Sequence, residues 1–130
     1  MRLLFFLILP LLTSCVAPMN GMQSPDASQL IGVWKVDLRP TPESDAYFSE
    51  LVITMVNERT FSGTFYGTPV TQARINTDWF QVRIAFVTKD GSGAYHHSAV
   101  LSGATLEGLS NSVGRDFLSY WSAEKDEGLK

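Results

Sequence analysis

The residue types best suited to chemistry are two adjacent histidines, His96 and His97, and a single cysteine, Cys15. The histidine pair is the first place to seek a metal ion or a general base. On a strand, neighbouring side chains leave opposite faces, so adjacent histidines cannot easily grip one ion. There is no third histidine, and no carboxylate stands two residues to either side. A structural zinc site takes four ligands, so no metal is expected. One histidine is expected to face solvent and the other to hydrogen-bond beside Tyr95 or Ser98. Ser98, Ser110, His97 and either Asp90 or Asp116 supply the residue types of a serine hydrolase. However, no Gly-x-Ser-x-Gly elbow presents a nucleophile, and no glycine-rich loop is shaped for phosphate. Glu43 and Asp45 lie in a proline-rich loop and read as solvated. The expectation is a non-enzymatic protein with no catalytic residue and no cofactor.

Cys15 is chemically informative through its position. With one cysteine in 130 residues, no intramolecular disulfide can form. Upstream of it lie Met1-Arg2 and then the run from Leu3 to Leu12, which has no polar side chain. A positive charge followed by a short apolar run is the plan of a secretion signal. It is shorter than the roughly 20 residues a membrane-spanning helix needs. The junction Leu12-Thr13-Ser14-Cys15 resembles the bacterial lipobox, in which an aliphatic residue and two small residues precede a lipidated cysteine. That resemblance implies cleavage before Cys15 and acylation of its thiol, hence a protein anchored to the membrane through lipid. The alternative is a plain secretory signal cut nearby, which would leave a spare thiol. Val16 in place of aspartate resembles the Gram-negative pattern for outer-membrane sorting. It implies a position on the periplasmic face of the outer membrane.

Four segments follow: a signal over 1–14, a tether over 15–28, a folded domain over 29–124 and a charged tail over 125–130. The tether is built from Pro, Met, Asn, Gly and Ser, a composition that behaves as flexible chain. Cleavage would leave 116 residues, enough for one domain with a real core. The formal charge would move from −3 to −4 as Arg2 is lost. Arg39, Arg74, Arg83 and Arg115 are scattered singly, which argues against nucleic-acid binding and against an electrostatic grip on anionic lipid.

The domain reads as β almost throughout. Apolar and polar residues alternate, as in half-buried strands, across Leu30–Leu38, Tyr47–Val56, Thr60–Tyr66, Val70–Ile75, Trp79–Thr88, Ala94–Leu101, Thr105–Ser110 and Phe117–Ala123. Turn chemistry separates these runs, with Asp90-Gly91 the strongest hairpin signal. A helical turn is expected within Pro42–Phe48. Short strands joined by short loops predict a single small antiparallel up-and-down β-barrel of about eight strands. The expected inward set is Trp34, Val36, Leu51, Ile53, Met55, Phe61, Phe65, Phe80, Val82, Ile84, Phe86, Leu106 and Trp121.

Gly32-Val33-Trp34 on the first strand resembles the Gly-x-Trp signature of lipocalins and related calycin barrels. There the tryptophan plugs the closed end, and an arginine near the last strand packs over it. The resemblance implies that Gly32, Trp34 and Arg115 close the barrel here. Phe61 to Gly67 is similar to an early strand of avidin-like barrels and to barrel segments of surface lipoproteins that bind transferrin or complement factors. Ala73 to Trp79 is similar to a late avidin stretch, but it stands at another place in the strand order. An eight-stranded interior is either filled by side chains or just holds one small ligand. Two readings follow: a packed barrel that contacts an envelope or host protein, or a barrel with an aromatic pocket at one end. For the pocket, the candidate ligand contacts are Trp34, Phe65, Phe80 and Trp121, and the expected ligand is a small apolar molecule or an envelope component.

Overall fold

The computed structural model describes residues 15–16, 21 and 23–128, so the signal over 1–14 lies outside the described residues. The described chain is all-β apart from two short 3-10 turns, Ala27–Leu30 and Val113–Arg115. Nine antiparallel strands follow one another: β1 (Gly32–Asp37), β2 (Phe48–Asn57), β3 (Thr60–Phe65), β4 (Thr68–Pro69), β5 (Thr71–Asn76), β6 (Arg83–Asp90), β7 (Gly93–Ser102), β8 (Thr105–Ser112) and β9 (Phe117–Asp126). Their order in the sheet is β4-β3-β2-β1-β9-β8-β7-β6-β5. This is an up-and-down meander in which first and last strands pair, Trp34 opposite Lys125 and Val36 opposite Ala123.

The nearly closed barrel has one seam. β4 and β5 are a single bent stave that leaves β3 for β6, which is why nine strands appear where eight are expected. The bend falls where Gln72 adopts φ 50° and where the β5–β6 register shifts between Thr71 and Arg74. Across the seam, Val70 N–H donates to the Gly63 carbonyl at 2.9 Å and Ile75 N–H to the Arg59 carbonyl at 2.8 Å. Edge groups that would otherwise template aggregation are thereby partly answered.

The interior follows the period-two pattern. Leu30, Trp34, Val36, Leu51, Ile53, Leu106, Trp121 and Ala123 are buried at 1 % exposure or less. Each of the larger ones stabilises the fold by roughly 1.5–3 kcal/mol. Two expected core residues lie outside. A bulge between Ile53 and Met55 makes Thr54 an extra residue, and the parity of β2 flips beyond it. Met55 is therefore 56 % exposed, while Val56 packs on the core. Phe80 is 60 % exposed because β6 begins only at Arg83. The Asn76 side chain accepts from Asp78 N–H at 3.1 Å, and this Asx turn carries Trp79 and Phe80 into an exposed loop with Phe80 at φ 62°.

Two further differences concern chain segments. Pro42–Phe48 holds a single turn, with Ser44 N–H donating to the Thr41 carbonyl at 3.1 Å, and no α-helix grows from it. β9 runs through Asp126, so Glu124 and Lys125 are strand.

Candidate functional site

The two ends of the barrel are built differently. At one end Ala27–Leu30 lies across the strand ends, its start capped by the Asp26 carboxylate, which accepts from Ser28 N–H at 2.9 Å. The Trp34 indole N–H donates to the Leu30 carbonyl at 2.8 Å, fully buried. Lys125 Nζ sits 5.4 Å from the centroid of the Trp34 ring and donates to the Gln29 carbonyl at 2.7 Å. Gly32 makes room for that lysine, since a β-carbon there would lie 2.9 Å from Lys125 Cε, and its φ of +136° suits glycine. Gly32 and Trp34 stand together at this end, and the cation over the Trp34 ring is Lys125. Arg115 lies in the 3-10 turn Val113–Arg115 that precedes β9, roughly 25 Å away by strand rise, and its guanidinium donates to the Tyr95 hydroxyl at the opposite end.

At that opposite end the barrel is open. The loops after β1, β3, β6 and β8 surround a pocket of about 570 Å³. Phe65, Tyr47, Tyr66, Tyr95 and Phe117 supply its aromatic wall, and Thr88, His97 and Ser110 its polar floor. Tyr47 and Tyr66 meet edge to face across the mouth and are joined through their hydroxyls. That bond holds the Tyr47 phenol above the usual tyrosine range. Lys89, Asp90 and Arg115 put charge on the rim.

The floor is one hydrogen-bonded chain. His97 Nε2 lies 2.8 Å from Thr88 Oγ1, and Nδ1 lies 2.6 Å from Ser110 Oγ. All three residues are 5 % exposed. The register explains the convergence: Thr88 stands opposite Tyr95 on β6 and β7, and Ser110 directly opposite His97 on β7 and β8. The Phe86 ring stacks on the imidazole at 4.7 Å and the Phe65 ring tilts against it at 4.6 Å. Burial, with a smaller contribution from neighbouring His96, pushes the His97 pKa down to about 4. The imidazole is therefore neutral at neutral pH. As strand geometry requires, His96 faces outward and is exposed. The partners of His97 come from across the sheet and not from adjacent Tyr95 or Ser98.

Of the residues that could be drawn into a triad, Ser110 and His97 meet, and the other imidazole nitrogen faces the Thr88 hydroxyl. Among the described residues no carboxylate bonds to the imidazole, whose two nitrogens meet Thr88 and Ser110, whereas the triad chemistry relies on one. Among the described residues no three His, Cys, Asp or Glu side chains are grouped to hold a metal ion. Among the same residues, no helix is long and apolar enough to cross a membrane.

Of the four expected ligand contacts, only Phe65 lines the pocket. Trp34 belongs to the closed end and Phe80 to the exposed loop. Trp121 lies in the packed layer below, its ring 5.5 Å from that of Phe65 and its indole N–H without a partner. The polar floor was nevertheless signalled in the sequence. The inward positions of β8 run Leu106, Gly108, Ser110, Ser112, apolar at one end and hydroxylic at the other. Cys15 is an exposed free thiol. Comparison with known protein families, with curated proteins and with solved structures finds no match for this chain.

Proposed function

We propose that this chain is a lipid-anchored lipoprotein of the cell envelope whose barrel takes up a small, mainly apolar molecule through its open end, without catalysis. The observation that carries the binding part is the pocket itself. About 570 Å³ of space opens onto an aromatic wall, within the usual range for small-molecule sites. The lipobox-like Leu12-Thr13-Ser14-Cys15 supports the anchor. Native mass spectrometry of protein extracted from cells is expected to show retained mass, and tryptophan emission is expected to respond to apolar probes through Phe65 and Trp121. No retained mass and no response across a broad apolar panel would remove the carrier reading. Labelling with a palmitate analogue should mark the wild type and spare Cys15→Ser; equal labelling of both would refute the anchor.

A second reading, a protein-interaction module, is supported by the outer face of β8 and β9. Leu109 stands directly opposite Tyr120, and Leu118 opposite Asn111. Leu109, Tyr120 and Leu118 are 47, 57 and 70 % exposed. Clustered exposed apolar residues of this kind mark contact surfaces. On this reading, Leu118→Asp with Tyr120→Asp abolishes cross-linking to an envelope partner and leaves probe uptake intact.

A further inference from the structure

We infer that the pocket is built for a ligand whose buried end carries an uncharged hydrogen-bonding group, a hydroxyl or a carbonyl, on an aromatic body. This rests on the pocket reading above and names the ligand class of that same site.

The argument is a proton count on the floor. Thr88, neutral His97 and Ser110 together bring three polar hydrogens: two hydroxyl hydrogens and one imidazole N–H. The two contacts of the chain, Thr88 Oγ1 to Nε2 and Nδ1 to Ser110 Oγ, consume two of them. In either tautomer, one hydroxyl accepts from the ring and the other donates to it. One O–H therefore stays uncommitted, on the hydroxyl that accepts, and lone pairs remain on both oxygens. Among the described residues neither hydroxyl has a further protein partner, and both line the pocket. A buried polar hydrogen of this kind calls for an acceptor. Swapping the tautomer moves the spare donor from one side of the ring to the other, so the floor can meet a hydroxyl or a carbonyl.

The same count disfavours an anion at the floor. No charged side chain belongs to the chain of three, and the charges of the pocket, Lys89, Asp90 and Arg115, stand on its rim. A carboxylate seated among three neutral, 5 % exposed residues would be desolvated without a counter-charge. The body of the ligand meets rings instead: Phe65, Tyr95 and Phe117 lead from floor to mouth, with Tyr95 stacked at 6.4 Å from His97 and edge-on to Phe117 at 6.1 Å.

The test is a matched series on one aromatic body: naphthalene, 2-naphthol, 2-acetylnaphthalene and 2-naphthoate. The full protein in lipid nanodiscs is titrated by calorimetry against empty nanodiscs, while the imidazole nitrogens of His97 are followed by NMR. The expected result is that 2-naphthol and 2-acetylnaphthalene bind roughly tenfold tighter than naphthalene, as one net neutral hydrogen bond allows. Both should shift the His97 nitrogens, and 2-naphthoate should bind more weakly than either. Thr88→Val and Ser110→Ala should each shrink the advantage of 2-naphthol and 2-acetylnaphthalene over naphthalene measured on the same variant, with a wild-type-like circular dichroism spectrum showing that the variants are folded. Tightest binding by 2-naphthoate, or equal binding by all four, would overturn the inference and leave the pocket reading standing. Failure of every member, naphthalene included, would overturn both.

Discussion

The closed and open ends of this barrel both rely on aromatic rings beside polar atoms, yet they satisfy those atoms in opposite ways. At the closed end the backbone answers: the Trp34 indole goes to the Leu30 carbonyl and the Lys125 ammonium to the Gln29 carbonyl. At the open end side chains answer one another: Thr88 and Ser110 flank His97, Arg115 reaches Tyr95, and Tyr47 meets Tyr66. Backbone acceptors are fixed by the fold, so groups bound to them are locked. Hydroxyls that bond to an imidazole keep donors and lone pairs in reserve. One end is finished, and the other has hydrogen-bonding capacity left over.

The comparison breaks most visibly under truncation. Trp34→Ala is expected to lower stability by about 3–5 kcal/mol, the range for emptying a buried tryptophan site. Phe117→Ala, at a position 43 % exposed, should stay within about 1 kcal/mol and weaken probe uptake instead. Urea melts of the two variants decide it, and equal losses would erase the contrast. Next in size is Gly108→Ala. The new methyl would press on the Trp121 indole and lie 2.7 Å from the Ser98 carbonyl, so a loss of about 2–3 kcal/mol is expected. A neutral result would mean that the layer under the pocket floor is looser than the closed end.

Acid should act on the open end. The His97 pKa is depressed from 6.5 to about 4 in the fold, so the unfolded chain takes up the proton first. The contribution is complete above about pH 6.5, is lost as pH falls toward 4, and levels off below that. The expected loss is about 2 kcal/mol after discounting for water at the mouth. His97→Gln should abolish this part of the pH slope in urea melts taken across that window, and an unchanged slope would assign it elsewhere. The smallest effect belongs to Lys125→Met. Losing the contact with the Trp34 ring and the bond to Gln29 should cost about 0.5–1 kcal/mol and leave probe affinity untouched.

Much of the barrel is legible because alternation is a local signal. β1 and β3 repeat it without interruption, and their inward apolar residues are those the pattern selects. Misreadings cluster where one residue changes parity or direction. The bulge at Thr54 turns Met55 outward, and the Asx turn at Asn76 carries Phe80 away. Neither departs from apolar patterning in the sequence. Arg115 is misplaced for a different reason. A cation near the last strand is correct as a type, but only the pairing of β1 with β9 puts Lys125 opposite Trp34. The floor depends on three strands meeting at one height, which adjacent residues cannot announce. The polar half of the inward face of β8 is its one visible trace.

The pairing of the first and last strands also fixes where the chain enters the barrel. Ala27–Leu30 enters the fold at the closed end, where it meets Trp34 and Lys125. A lipid on Cys15, as proposed, would therefore attach the protein through its sealed base. On the proposed reading of a lipid-anchored carrier, the mouth and the anchored end are then at opposite ends of the barrel, so a ligand would enter on the side away from the attachment point.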